Sequence, residues 1–363
     1  MIKVALAGVG NVAAKFVQQL YACKISGAEP KNTILPNVDK YKVSEIDIVA
    51  AFDVAKNKIG LDLSKAVLEK PNLTDGKYMQ PSGITVSKGV LLDGVSKHMK
   101  EIFKPYDDRV STVDDIAGEL RSSKADMLIN LIPVGSIKAS EAYAHAALEA
   151  GVAFINAIPV FIASDPTGKF PRLFKKRHLP LVGDDMKGQM GATILHRTIA
   201  SLFENRGASI EESYQLNIGG NTDFLNMLDQ ERLELKRVSK TKAVTSTIHN
   251  GDTLEKDSRI RIGPSDYVPF LKNDKIAHMY VKGRGFGGSP ILLNLSLQVD
   301  DKSNAAAVLV DVIRLTKLAL DRGYAGTLND VSAFYFKHPP IQSPNDYTAY
   351  DSVIEFVNNL NPA

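Results

Sequence analysis

The run Ile2–Ala7, short, apolar and β-branched, stops at Gly8, and a helical pattern with apolar Ala13, Phe16, Val17 and Leu20 follows at once. A strand that must become a helix within so few residues leaves the chain little freedom, and the turn between them reads GVGNVA. Gly8 permits the tight turn, Gly10 lets a ligand approach the backbone, and small Ala13 lets the helix pack on the sheet. Asn11 and Val12 complete a helix start whose amide groups suit a dinucleotide pyrophosphate. The next strand pattern, 46–52, ends in Asp53, where a carboxylate can accept both hydroxyls of an adenosine ribose and repel a 2′-phosphate. That favours NAD over NADP. The insertion SGAEPKNTILPNVDKYK lengthens the glycine-to-acid separation beyond the usual ~20 residues, and a solvated strand-end Asp is the competing reading.

Strands and helices keep alternating. Strand patterns at 127–132, 152–155 and 179–182 interleave with helical ones at 112–120, 139–150 and 192–203, Ser136 standing ready to cap the second and Gly151 to end it. Residues 72–106, punctuated by Pro81 and Pro105, read as loop and short helices. Alternation of this kind predicts an α/β chain with a parallel sheet covered by helices on both faces. Ligands then sit at the carboxyl ends of the strands, where Gly8, Asp53, Pro133, Asn156 and Asp184 fall. The last opens VGDDMKGQMGATILHR, in which Asp184, Asp185, Lys187 and Gln189 crowd together before a helix start, a place that favours an anion. An ordinary charged turn is the plainer alternative.

The second half changes character. Strand patterns at 213–218, 243–248, 277–282 and 293–299 have little helix between them, and the last alternates Leu293, Leu295, Leu297 and Val299 with Asn294, Ser296 and Gln298. This predicts an antiparallel sheet with one covered and one polar face, able to pair with its own copy. A helix from Ser303 to about Gly323 and another at 347–360 return to the style of the first half. The expected division is a dinucleotide domain of 1–197 plus 301–363, with an inserted α+β sheet domain of 198–300. Within the insertion stand Lys236, Lys240, Lys242, Lys272 and Lys275; Lys236 and Lys240 share a face if helical. A solvated basic face is the ordinary explanation for such lysines.

The 363 residues suffice for two domains, and a net charge of +3 demands no polyanionic partner, which argues against nucleic acid. The lone Cys23 forms no internal disulfide and suits a reducing compartment. No charged leader with an apolar segment precedes the first strand, and no apolar run approaches a membrane span. The expectation is a cytoplasmic protein without a membrane partner.

Taken together, GVGN, AAFD, IPVGS, NAIPVFIASDP, VGDDMKGQMGATILHR, GGNTDF, LKRVSKTKAV, IGPSDYVPFL, GRGFGGSPILLNL and LALDRG resemble the bacterial and archaeal myo-inositol-1-phosphate synthase family over nearly the whole chain. The resemblance implies a Rossmann-like NAD-binding domain with an inserted α+β sheet domain for catalysis and homotetramer formation. It implies conversion of D-glucose 6-phosphate to 1L-myo-inositol 1-phosphate, an isomerisation that serves inositol and phospholipid synthesis. The steps would be oxidation at carbon 5, enolisation at carbon 6, intramolecular aldol closure on carbon 1, and re-reduction, with NAD retained throughout.

By motif position, Lys236 would assist proton transfer at the oxidised carbon, Lys240 and Lys275 would hold phosphate or chain oxygens, and Lys337 would reach the carbonyl undergoing closure. Preorganised ammonium groups suit the oxyanions of such a sequence. Asp223 and Asp301 match the carboxylates near nicotinamide and lysines; Asp185 and Gln189 match the substrate-side loop; Asp62 and Tyr143 become NAD contacts, although Asp62 also reads as a helix cap. Gly188 stands where the family usually has serine, so a backbone amide replaces a hydroxyl against phosphate or cofactor, at a cost of roughly 1 kcal/mol. The family also implies a divalent cation in some members; Asp223 and Asp301 with substrate phosphate are the donors on offer, and no dense ligand motif assigns a metal site. An NAD-dependent sugar-phosphate dehydrogenase that releases NADH, and a non-catalytic NAD-binding sensor, are the competing functions.

Overall fold

The computed structural model describes residues 1–359. These form strands β1 (Ile2–Ala7), β2 (Ile46–Asp53), β3 (Val86–Lys88), β4 (Met127–Asn130), β5 (Ala153–Asn156), β6 (Pro180–Val182), β7 (Ser209–Gly219), β8 (Ile260–Tyr267), β9 (Asp274–Arg284), β10 (Pro290–Asp300) and β11 (Gly326–Thr327). Two sheets result. A seven-stranded sheet runs β11-β6-β5-β4-β1-β2-β3 and a four-stranded one β10-β9-β7-β8, so the chain leaves the first sheet after β6 and rejoins it only at β11.

All pairings in the larger sheet are parallel. Such strands are buried on both faces, which is why β1, β4 and β5 are nearly unbroken apolar runs. On one face the helices Asn11–Ser26 and Asp301–Asp321 pack through Phe16, Val17, Leu309, Val312 and Ile313; on the other Val113–Ser122 and Ile137–Ala150 pack through Ile116, Leu120, Ala144 and Leu148. Each such larger aliphatic or aromatic side chain contributes about 1.5–3 kcal/mol on burial. Thr112 caps the third of these helices through the amide of Asp115, and Gly151 ends the fourth at φ 75°. Ser136 precedes that fourth helix without capping it; its hydroxyl donates to Pro133 O instead.

The smaller sheet is mixed rather than antiparallel: β9 pairs antiparallel with β7 and β10, but β8 lies parallel to β7. The apolar side of β10 covers the helix Ala192–Asn205, Leu295 and Leu297 meeting Ala192 and Leu195.

Several expectations change. Residues 243–248 are not a strand but the end of the helix Gln230–Thr245 and the turn after it, where Val244 and Ile248 enter the core beneath the small sheet. Their β-branched composition suggested extension; tertiary packing overrides so weak a preference. β8 escaped notice because Gly263 and Pro264 interrupt it, which an edge strand tolerates. β3 and β11 are too short to leave a periodic trace. The C-terminal helix spans Asp346–Asn358, so the expected end at 360 lies outside the described residues.

Candidate active site

One cavity lies between the carboxyl edge of the parallel sheet and the smaller sheet. Gly8, Gly10, Asn11, Val12, Asp53 and Tyr143 line one end; Gly188, Asp223, Lys236, Lys240, Lys275, Asp301 and Lys337 line the other.

At the first end the glycine turn behaves as its sequence requires. Gly8 has φ 94°, and a Cβ there would stand 2.9 Å from the Leu131 carbonyl. A Cβ on Gly10 would meet open space, so the backbone is bare towards the cavity. Gly10 starts the helix Asn11–Ser26 without a side-chain cap, leaving orphan amide donors for a ligand. Asp53 accepts from Val9 N and Ala55 N, each at 2.8 Å, which anchors its carboxylate to the turn while each oxygen keeps a lone pair. Buried Lys58, which the sequence reading passed over, bonds Val9 O at 2.8 Å and Asn72 Oδ1 at 3.1 Å and stands 3.8 Å from Asp53. Burial pulls its pKa down, with Asp53 and Glu69 opposing. The Tyr143 hydroxyl accepts from Val90 N at 3.0 Å; burial raises its pKa.

The second end is built on the loop after β6. Asp185 N bonds Ile158 O at 3.1 Å, Met186 N bonds Ala157 O at 3.0 Å, and Lys337 N bonds Asp185 O at 2.8 Å, so two distant segments clamp the loop. That clamp holds Asp185 at φ 58°, a left-handed conformation that costs a non-glycine residue about 1–2 kcal/mol. Its carboxylate then receives Lys236 Nζ at 3.0 Å, Lys337 Nζ at 2.9 Å and the Ser239 hydroxyl. Burial alone would raise the Asp185 pKa, but Lys236 and then Lys337 outweigh it, and the carboxyl ends below the usual range.

The lysines differ in state although they are neighbours. Burial disfavours charge on Lys236, yet Asp185 foremost, then Asp223, carries its pKa above the ordinary lysine value. Lys337 is pulled down by burial to about 8, with Asp185 opposing and Lys236 adding to the fall. Lys240, on the same helical face as Lys236, is lowered well below the usual value by burial and then by Lys275, Lys236 and Lys337. Its ammonium has no hydrogen-bonding or ionic partner among the described residues, although it is only 5% exposed. Lys275 pairs with Asp301, and Lys302 stands 3.2 Å from Asp301 and 3.9 Å from Asp223. Beside these lysines the helix Ala192–Asn205 begins at Gly191, again without a side-chain cap, and presents Ala192, Thr193 and Ile194 to the cavity.

Three expected site residues fall elsewhere. Asp62 caps the helix Leu63–Ala66 and is filled by Ser64, Ser82 and Gly83 donors, so it does not line the cavity. Gln189 turns outward: its side-chain amide donates to Asn32 O, because Asn304 holds the loop at the backbone of both Gln189 and Met190. Asp185 lies beneath the cavity and acts on it through Lys236 and Lys337. Lys187 also points away, to Asp346 at 3.0 Å. Conversely Lys302, Gln215 and Asn217 line the cavity and were missed. The signal for the last two was present: in β7 the polar Ser213, Gln215 and Asn217 are buried while Tyr214 is exposed and Leu216 and Ile218 are half-buried, an inversion of the usual pattern. Asp223 and Asp301 suit a divalent cation poorly, since the Lys302 ammonium already lies between them. Among the described residues no three His, Cys, Asp or Glu side chains group as metal ligands.

Known proteins agree with this architecture. The sequence model of myo-inositol-1-phosphate synthase matches residues 191–302. The inositol-3-phosphate synthase of Corynebacterium glutamicum is 44% identical over 95% of each chain, and that of Mycobacterium tuberculosis 42% identical over 95% of this chain and 93% of its own. The crystal structure of a myo-inositol-1-phosphate synthase-related protein from Thermotoga maritima superposes with a TM-score of 0.82 at 29% identity, covering 100% of both chains. The inositol-3-phosphate synthase of Caenorhabditis elegans shares the fold at 14% identity, with a TM-score of 0.79 over 98% of this chain and 85% of its own. With a glycine turn and a buried lysine cluster facing one cavity, and kinship extending from end to end, the chain belongs to the myo-inositol-1-phosphate synthase family.

Proposed function

We propose that the chain is an inositol-3-phosphate synthase that cyclises D-glucose 6-phosphate to 1L-myo-inositol 1-phosphate with NAD as a retained cofactor. The observation that carries this reading is the convergence of two uncapped helix starts, at Gly10 and Gly191, on one cavity that also holds the partnerless Lys240. Each is an anion site, and together they suit a dinucleotide pyrophosphate and a sugar phosphate side by side.

The residues present fit NAD. Gly10 and the amides after it would receive the pyrophosphate, Asp53 the ribose hydroxyls, and Tyr143 would back the same end. Bound there, NAD supplies a hydride acceptor that later returns the hydride. The substrate phosphate would rest on the start of the helix Ala192–Asn205 with Lys240 and Lys275, and Gly188 would offer its amide. A dianion beside Lys240 would supply the counter-charge that its ammonium form lacks in the protein alone. Lys236 stays protonated because Asp185 holds its charge, which makes it a stabiliser of oxyanions rather than a proton donor. Lys337, near 8, can hand over and recover a proton close to neutrality. That revises the expected assignment of proton transfer to Lys236.

In this reading residues 1–197 and 301–363 carry the cofactor and 198–300 the catalytic sheet. The outer face of that sheet, where Tyr214 and Tyr280 stack at 5.1 Å and Leu292 is 57% exposed, would meet further copies in a homotetramer. Among the described residues no helix is long and apolar enough to cross a membrane.

Phosphorus NMR of a reaction with glucose 6-phosphate and catalytic NAD, with and without chelator, tests the assignment. The expected result is stoichiometric inositol phosphate with no accumulation of NADH. Steady growth of NADH absorbance without that product sinks it in favour of a dehydrogenase; cofactor binding with no turnover favours a sensor.

A further inference from the structure

A row of buried polar groups runs along one wall of the cavity, and a backbone carbonyl at one end fixes its direction. Asn217 Nδ2 lies 2.7 Å from Gly263 O, Gln215 Nε2 lies 3.0 Å from Asn217 Oδ1, and Gln215 Oε1 lies 3.2 Å from His196 Nδ1. His196 Nε2 is 2.8 Å from Ser213 Oγ, which is 2.8 Å from Tyr280 O. His196, Gln215 and Asn217 are wholly buried.

The direction of the row is set at its far end. A backbone carbonyl only accepts, so Asn217 must turn its amide nitrogen to Gly263 and its oxygen to Gln215. Gln215 must then donate to Asn217 and show its own oxygen to His196, whose Nδ1 must carry hydrogen. At the near end the Ser213 hydroxyl has one hydrogen, which can go to Tyr280 O or to His196 Nε2. Burial pushes the imidazole down to about 4, with only the Gln215 bond opposing. The ring is therefore neutral at physiological pH, Nδ1 holds its only proton, and the Ser213 hydroxyl turns its one hydrogen from Tyr280 O to Nε2.

We propose that His196 is a positioning residue: its Nδ1–H tautomer locks Gln215 and Asn217 so that each keeps one amide N–H free to donate to a sugar-phosphate oxygen as negative charge grows on it. Gln215 and Asn217 are among the residues that line the cavity holding Lys236, Lys240 and Lys337. Reversal of the row would present carbonyl oxygens to the same charge. The inference rests on the sugar-phosphate reading above for its catalytic consequence, but not for the tautomer.

Two measurements test it. Nitrogen NMR of histidine-labelled protein, with His196→Asn for assignment, should show a neutral ring protonated at Nδ1 from about pH 6 to about pH 9. A ring protonated at Nε2, or one that titrates in that range, overturns the proposal. In kinetics, His196→Leu should lower kcat by at least about 10-fold with the KM for NAD unchanged, and His196→Asn, which restores an N–H towards Gln215, should recover most of it. Wild-type kcat in His196→Leu, or no recovery in His196→Asn, also overturns it. Should His196→Leu fail to fold, Gln215→Glu removes the donors while keeping the shape, and full kcat in that variant has the same meaning. Absence of inositol phosphate from the wild-type enzyme would fault the reaction assignment, while the spectra would still decide the row.

Discussion

Asp185 and Lys187 stand two residues apart on one loop, yet they found two charge clusters of opposite kind. Lys187 turns inward to Asp346 at 3.0 Å and Ala333 O at 3.0 Å, and Arg197 meets the same carboxylate at 3.0 Å while also bonding Ala243 O, Ser246 and Ser343 O. Its cations are answered by a carboxylate and carbonyls, and none of the three charged residues lines the cavity. The Asp185 cluster faces the other way. Lys236, Lys240, Lys275, Lys302 and Lys337 outnumber Asp185, Asp223 and Asp301, and Lys240 is left over. A buried charge without a counter-charge is costly, so a cluster built that way points to an anion from outside. Cations that each have a carboxylate partner mark a structural role here, and the partnerless Lys240 a functional one.

The largest effects should come from the unbalanced cluster. Lys236→Ala and Lys337→Ala should each lower kcat by about 10²–10⁴ while sparing NAD affinity, measured by initial rates and fluorescence titration. Lys240→Met should abolish most turnover yet leave Tm unchanged or raised, because nothing in the folded chain answers the charged form of that buried amine. A lower Tm in that variant would break the contrast between the clusters.

Next comes the balanced cluster. Asp346→Ala leaves Lys187 and Arg197 facing each other without their acid and should destabilise the fold by about 3–5 kcal/mol, read from denaturant unfolding. The fraction that remains folded should keep its turnover number, since neither cation touches the cavity.

A smaller effect separates activity from stability by pH. Burial lowers both Lys187 and Lys337 to about 8. Above that value the folded protein holds fewer protons than the unfolded chain until about 10.4, so stability contributed by these groups rises with pH in that window. Activity that depends on the Lys337 ammonium has the opposite sign, full below about 8 and lost above it. Lys187→Met should retain this basic limb in the pH–rate profile; its disappearance would show that the two clusters are not separate.

Smallest is Gly188→Ser. A Cβ at Gly188 meets Asn304 Cβ at 3.4 Å, an ordinary contact, so the hydroxyl should fit. The KM for glucose 6-phosphate should fall by a factor of up to about 5, in line with one hydrogen bond of about 1 kcal/mol, with Tm unchanged.

Much of this site was legible in the chain. Gly8, Gly10 and Asp53 sit where a strand-turn-helix step must put them, because local sterics decide such a turn. Lys236, Lys240, Lys275 and Lys337 all reach the cavity as their motifs implied. Gln189 and Asp62 did not, for a reason linear sequence hides: the Asn32 carbonyl and the side chains of Asn304, Ser64 and Ser82, some distant in the chain, decide where those polar groups find their bonds. The inverted burial of β7 was visible as alternation, but alternation does not say which face turns inward.

By itself, then, the sequence determined the α/β alternation, the glycine turn, the place of a second sheet and the chemical types gathered for the site, since each follows from local conformational preference or from spacing along the chain. Only the tertiary structure decided that Asp185 lies under the lysines, that Lys187, two residues on, turns instead to the part-buried Asp346, and that Lys240 stands without a partner. Those outcomes depend on burial and on which distant charges share it, and a pKa or an ion pair has no meaning until that neighbourhood exists.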